Sequence, residues 1–226
     1  MEIVNNQGDK IRLSFPKSLL FHILRIFFKL LYHQFAWSYD VVAWIVSAGS
    51  WQKWIQAVVP YLTGPRILEV GFGPGHLQVA MQKKEISMFG MDESKQMVKI
   101  TRRKFERDGV VPKLIRGDAQ SLPFKSECFD QVVTTFPSEY ILKSSTLSEI
   151  RRVLVNGGSA VILPLAWITG RKPWEMFMAW VNRFTGEAPP WDPNTLEPLK
   201  QEGFQVGWDM IEYPNSNLVV VTLRKM

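Results

Sequence analysis

The sequence predicts an α/β fold: a doubly wound, mostly parallel sheet preceded by a helical N-terminal extension. Three observations predict it. Short apolar runs suited to buried strands alternate with stretches of helical periodicity over residues 60–165. One such run, Ile67-Leu68-Glu69-Val70, leads straight into Gly71-Phe72-Gly73-Pro74-Gly75-His76-Leu77, a glycine-alternating loop that opens a helix. A chain of 226 residues is long enough for one domain with a sizeable core plus extensions.

The loop reads G-x-G-x-G. Glycine has no Cβ, so such a loop can adopt positive φ and let a ligand approach bare backbone. A dinucleotide fingerprint needs its third glycine one place later, where this chain has His76, which disfavours a nicotinamide-dependent oxidoreductase. Phe89-Gly90-Met91-Asp92-Glu93-Ser94 reads as a second strand with an acid at its tip. Asp92 follows the loop by about 20 residues, the reach at which a carboxylate meets ribose hydroxyls in nucleotide-binding βαβ units.

Three further segments follow in order. They are Lys113-Leu114-Ile115-Arg116-Gly117-Asp118-Ala119-Gln120-Ser121-Leu122-Pro123-Phe124, the strand-like Phe129–Phe136, and the helix–Gly157-Gly158–strand unit from Glu149 to Leu163. Together with the acid-and-glycine loop they resemble the class I S-adenosyl-L-methionine (SAM) methyltransferases over roughly residues 60–165. The resemblance implies a Rossmann-like sheet of seven strands whose last strand is antiparallel. It also implies SAM as cofactor. The backbone of Gly71, Gly73 and Gly75 would meet its methionine end, and Glu69 would orient its amino group. Asp92 would take the ribose hydroxyls, and Met97 or Met91 the adenine face. Asp118 would accept from the adenine amino group, with Ala119 offering backbone. Thr135 and Phe136 would sit nearest the methyl.

Composition narrows the partners. A net charge of +6 and a pI near 9.4 favour an anionic partner, membrane surface or nucleic acid. Nucleic acid is disfavoured: there is no aromatic-interleaved basic stripe and no RNA-binding signature, and Thr134-Thr135-Phe136-Pro137 stands where DNA and amide methyltransferases carry an Asn-Pro-Pro-Tyr type element. The basic clusters Arg102-Arg103-Lys104 and Arg151-Arg152 read as solvated helix faces. One cysteine, Cys128, gives no internal disulfide and sets an intracellular default, and the three scattered histidines show no metal-ligand spacing.

In residues 17–35 the polar positions Ser18, His22, Arg25, Lys29 and His33 recur at helical spacing, with a wide apolar face around them. The run is too short and too interrupted by charge to span a bilayer. It suits a helix lying in a membrane interface, or packed against the sheet domain or a second subunit. The expected location is therefore cytoplasmic, with association to the cytoplasmic face of a membrane.

Next, Tyr39-Asp40, Ser47-x-Gly49 and Trp54 resemble the segment that precedes the first strand in ubiquinone/menaquinone C-methyltransferases, where it covers cofactor and substrate. The departures are Ala43-Trp44 where that family usually has Asn-Asp, and Glu69 and Pro74 where it favours aspartate and threonine. This divides the chain into a cover at 1–59 and a SAM-binding domain at 60–226. The latter includes a substrate-side insertion at 166–200, whose stretch from Trp167 to Phe184 carries Trp174, Met176, Phe177, Met178 and Trp180. Those side chains suit an apolar pocket wall or a core-facing helix. Residues 203–211 and 217–223 read as a closing pair of strands.

A sulfonium is an excellent leaving group, so transfer mainly needs an in-line acceptor. A base is needed only if the acceptor must lose a proton. Candidates are Tyr39, Asp40, Glu139, Tyr140, His33 and His76; Tyr39 and Tyr140 are preferred for where the family places them. The expected function is SAM-dependent methylation of a lipophilic small molecule, quinone-precursor or phospholipid-like, near a membrane. The alternatives are a soluble metabolite or thiol acceptor, and a non-catalytic binding module. Oligomeric state is left open.

Overall fold

A computed structural model describes residues 39–185 and 189–226, apart from the side chains of Tyr39, Phe184 and Thr185. The amphipathic stretch 17–35 and the candidate base His33 lie outside the described residues. The cover contributes α1 (Tyr39–Val46) and α2 (Trp51–Gln56). There follow β1 (Ile67–Val70), α3 (His76–Gln82), β2 (Phe89–Asp92), α4 (Lys95–Arg107), β3 (Lys113–Arg116) and β4 (Phe129–Thr135). The chain closes with α5 (Ser144–Val153), β5 (Leu154–Ile168), α6 (Pro173–Thr185), α7 (Glu197–Gln201), β6 (Phe204–Tyr213) and β7 (Ser216–Lys225).

The seven strands form one sheet in the order β3-β2-β1-β4-β5-β7-β6. β7 runs antiparallel to both of its neighbours, and the other pairings are parallel. Strand order reverses between β1 and β4, and the crevice beyond their carboxyl ends is where open α/β sheets bind ligands.

Both faces of the sheet are covered, which explains the nearly continuous apolar strands. On one face Leu68 and Val70 of β1 join Ala160 and Ile162 of β5 and Val219 and Val221 of β7, packed against Leu147 and Ile150 of α5. On the other, Ile67, Val161, Leu163 and Val220 meet Trp54 and Ile55 of α2, Leu77 and Met81 of α3 and Met178 of α6. The cover thus shares its core with the sheet: the Trp54 indole donates to Ser216 Oγ at 2.8 Å in the interior.

β5 differs from expectation at both ends. It absorbs Gly157-Gly158, because the register jumps from Phe129↔Leu154 to Gln131↔Ser159 and the residues between bulge out with Gly157 at φ +74°. A Cβ on Gly158 would sit 2.9 Å from the Asp130 carbonyl. β5 also runs on past Trp167, so that residue belongs to a strand, and helix α6 starts only at Pro173. No helix among the described residues is long and apolar enough to cross a membrane.

Candidate active site

The three alternating glycines all take positive φ: Gly71 +73°, Gly73 +53° and Gly75 +78°. Their surroundings differ. A Cβ on Gly71 would sit 2.5 Å from the Tyr140 hydroxyl, and one on Gly75 would strike Thr101, but one on Gly73 would meet nothing within 4 Å. The outer glycines are fixed by packing beneath the loop, while Gly73 faces the open crevice. Such backbone is what a bulky, partly anionic ligand can approach closely.

The neighbouring elements hold the loop rigid. The Gly71 amide donates to the Met91 carbonyl (2.7 Å) and the Gly75 amide to that of Phe72 (3.0 Å). The Thr101 hydroxyl donates to the Gly73 carbonyl (3.0 Å), and Lys104 Nζ to that of Pro74 (2.9 Å). Lys104 therefore belongs to the site and not to a solvated basic face.

Asp92, at the tip of β2, accepts from the Gly73 amide at 2.8 Å through one oxygen and from the Ser94 amide at 2.8 Å through the other. Burial pushes its carboxyl above the usual range, against the pull of those two amides. Each oxygen keeps a second lone pair with which it can accept a ribose hydroxyl. The Gly117 amide donates to the Asp92 carbonyl (3.1 Å), which brings the loop after β3 beside it. There Asp118 is exposed, with one oxygen holding the Gln120 amide at 2.9 Å, and Ala119 is half-buried.

Three expected contacts lie elsewhere. Glu69 sits one residue inside β1 and points to the α3 face, where Gln78 Nε2 donates to it at 2.9 Å. Only 1% of it is exposed, so it underpins the loop and offers no surface to a cofactor amino group. Burial pushes its carboxyl up to about 8, with the charge of Asp92 adding to the rise. Met97 is fully buried against Phe72 and Leu114, and Met91 lies in the main core, so neither presents a face to adenine. Helical spacing from Met97 to Thr101 and Phe105 puts all three on α4's inner side.

At the far side of the crevice, β4 ends in Thr135, half-buried, and Phe136 takes φ +48°, a strained conformation for an aromatic residue. Two contacts hold it: its amide donates to the Leu163 carbonyl (2.7 Å), and its ring stacks on Trp51 with centroids 4.5 Å apart. Trp54 lies 6.1 Å away at a tilt. An aromatic cluster made by the cover and the tip of β4 thus stands beside Thr135.

Tyr140 lies beneath the glycine loop. Its hydroxyl meets Thr134 Oγ1 at 3.2 Å and donates to the Val70 carbonyl at 3.3 Å, joining the ends of β4 and β1. That makes it a positioning residue for Gly71. Tyr39 opens α1, and its side chain lies outside the described residues. Asp40 and His76, two of the other candidates, pair with each other: Nε2 and Oδ1 are 2.8 Å apart, and Lys104 approaches the second Asp40 oxygen at 3.4 Å. The His76 hydrogen bond holds the Asp40 carboxyl below its usual range, and Lys104 adds to this. The trio fastens the cover to the glycine loop. Glu139 is exposed.

Sequence reading missed Gln78, Thr101 and Trp51. Gln78 had a legible signal, a polar residue inside the apolar helical run His76-Leu77-Gln78-Val79-Ala80-Met81. Of the aromatics and methionines on α6, Met178 turns inward, whereas Trp174, Met176, Phe177 and Trp180 are exposed.

Residues 67–158 match the family described as "Methyltransferase domain". The chain is 28% identical over 221 residues to the ubiquinone/menaquinone biosynthesis C-methyltransferase UbiE of Cupriavidus metallidurans, covering 85% of this chain and 88% of that one. The fold is shared with the phosphoethanolamine N-methyltransferase 2 of Haemonchus contortus, solved with phosphomonomethylethanolamine and S-adenosylhomocysteine: TM-score 0.55, 17% identity, 78% of this chain and 53% of that one. It is also shared with the [4+2]-cyclase SpnF: TM-score 0.57, 19% identity, 77% and 81% covered. The fold alone therefore accommodates other chemistry, and the assignment rests on the family match and the C-methyltransferase relatives, with a loop whose geometry suits the cofactor. The chain is a class I SAM-dependent methyltransferase.

Proposed function

We propose that the enzyme methylates a lipophilic small molecule close to a membrane surface, and that the acceptor is an electron-rich quinone-precursor ring. The observation that carries this reading is the stacked pair Trp51–Phe136 at the tip of β4. A flat apolar ring can lie against such a wall, and burying it there is favourable at about 25 cal/mol per Å². The curated relatives are named for ubiquinone/menaquinone C-methylation, and the positive net charge suits work beside anionic lipid.

Bound SAM supplies an electrophilic methyl on a sulfonium. The chain's part is to bind and orient. The loop backbone at Gly71, Gly73 and Gly75 and the carboxylates of Asp92 and Asp118 would hold the cofactor by its two ends. Thr135 and Phe136 would border the transfer path, and the cover would exclude water from it. Attack by a ring carbon flanked by phenolic oxygen would form the C–CH₃ bond as the S–CH₃ bond breaks. The displaced ring proton would then pass to water or a nearby base to restore aromaticity. Proximity supplies most of the rate, and a base serves only that deprotonation.

The test offers the full-length enzyme three acceptors in separate reactions with SAM: a demethylated prenylquinol in detergent micelles, phosphoethanolamine and a small thiol. The expected result is a mass gain of one methylene on the quinol alone. Methylation of either polar acceptor with the quinol untouched would overturn the reading.

A further inference from the structure

Helix α6 is amphipathic in the wrong sense for a surface helix. Its inner face carries Glu175 (7% exposed) and Met178, while its outer face carries Trp174 (45%), Met176 (60%), Phe177 (52%) and Trp180 (60%). An ordinary surface helix buries the apolar stripe and shows the polar one. The outer rings form a ladder, with centroids of Trp174 and Phe177 5.8 Å apart and those of Phe177 and Trp180 6.3 Å apart. α1 packs beside α6, where Asn182 Nδ2 donates to the Val46 carbonyl (3.0 Å), and adds exposed Val41 and Trp44. A set of large exposed apolar side chains marks an interaction surface.

Its charged frame indicates the partner. Arg171 and Lys172 stand exposed just before the helix, and Arg183 is exposed in its last turn. With Lys53, Arg171 and Lys172 line a cleft of about 830 Å³ next to the first turn of α6, to whose wall Glu175 also contributes. The helix's one acid, Glu175, is turned inward, accepting from the Lys172 amide (3.0 Å). The exposed face is therefore apolar with cations at both ends.

We propose that this face of α6 docks the enzyme on an anionic lipid bilayer. Tryptophan and phenylalanine seat at the boundary between acyl chains and head groups, and the surrounding lysine and arginine pair with lipid phosphates. A second copy of this chain is a poorer occupant. A two-fold pairing of α6 with itself would bring the terminal cations of one copy against those of the other. The inference deepens the membrane reading given above, but rests on residues separate from the crevice.

The experiment uses the full-length protein without cofactor or acceptor. It compares sedimentation with vesicles of equimolar phosphatidylcholine and phosphatidylglycerol and with vesicles of phosphatidylcholine alone. Wild type should pellet with the anionic vesicles. The double variant Trp174→Ser/Phe177→Ser should lose this by about tenfold or more, with an unchanged melting temperature because both side chains are exposed. Arg171→Gln/Lys172→Gln should lower it several-fold, to about the level of wild type on neutral vesicles.

Wild type left in the supernatant would overturn the proposal. So would ring variants that pellet like wild type, since another surface, residues 17–35 included, would then carry the binding. A wild-type dimer by light scattering that the ring variants convert to monomer would assign the face to a second copy instead. Quinol methylation in micelles needs no bilayer, so its failure would sink the acceptor reading and leave the docking surface standing.

Discussion

The Asp92 carboxylate accepts the Gly73 amide at 2.8 Å, tying the tip of β2 to the one loop glycine that faces open space. The carboxylate proposed to take the ribose and the backbone cradle are therefore one mechanical unit, and the groups proposed to read the cofactor's two ends are already in contact. Replacing Asp92 with alanine is expected to weaken SAM binding by about 1–3 kcal/mol, the scale of a lost hydrogen bond to a charged group. Calorimetry giving an unchanged affinity would show that Asp92 serves the loop alone.

The loop glycines should separate by mechanism. Gly73→Val is expected to keep the fold and abolish SAM binding, since the new side chain fills the crevice and φ +53° disfavours it. Gly71→Ala should cost stability as well, because its Cβ runs into the Tyr140 hydroxyl. Adding Tyr140→Phe should recover part of that loss, as the next ring atom is 3.5 Å away, leaving about 1 kcal/mol of backbone strain. Thermal melts of the single and double variants check this; no recovery would mean the hydroxyl is not the obstacle.

Glu69 makes stability depend on pH. In the unfolded chain it ionises in the ordinary carboxylate range, but in the fold it keeps its proton up to about pH 8. Between those values the native state binds more protons than the unfolded one, so stability falls as pH rises and levels off above about 8. Glu69→Gln, which mimics the protonated form beside Gln78, should remove that fall. It should match the parent near pH 5 and exceed it by a few kcal/mol above pH 8. Urea midpoints of the two proteins running parallel from pH 5 to 9 would contradict the assignment.

Trp51 supports Phe136 in its strained conformation and, on the proposed reading, would border the acceptor. Trp51→Ala is expected to raise the KM for a prenylquinol by about tenfold, the order of one lost aromatic stacking contact with its buried area. SAM affinity should hold, because Trp51 lies at the β4 end of the crevice and not at the loop. A fall in SAM affinity with an unchanged KM would place the tryptophan in the cofactor site.

Local signals were legible and remote ones were not. The strand–glycine–helix unit at 67–77 and the acid-tipped β2 are written in adjacent residues, and the sheet order follows from the family's arrangement. The stack of Phe136 on Trp51 joins distant segments, and no spacing rule announces it. Both basic clusters misled, the first through Lys104, which holds the Pro74 carbonyl, and the second through Arg152. Arg152 is not a solvated helix residue: it donates to Glu149 (2.7 Å) and to the carbonyls of Leu122 (2.9 Å) and Phe124 (2.8 Å), pinning the segment after Asp118. Glu69 misled in the other direction, since a carboxylate near a strand end looks like a ligand group until its burial is known. On α6 the periodicity identified the apolar residues, but not that they point outward. Orientation depends on where the core lies, and Glu175 could turn inward only because the Lys172 amide and Asn215 receive it there.

The most direct test of the central claim, methyl transfer from a glycine-loop SAM site to a lipophilic acceptor, is to incubate the enzyme with methyl-labelled SAM and whole-cell extract and then partition the products. The account predicts label in the organic phase for wild type and none for Gly73→Val. Label confined to the aqueous phase would contradict the lipophilic acceptor, and equal labelling by Gly73→Val would contradict the site.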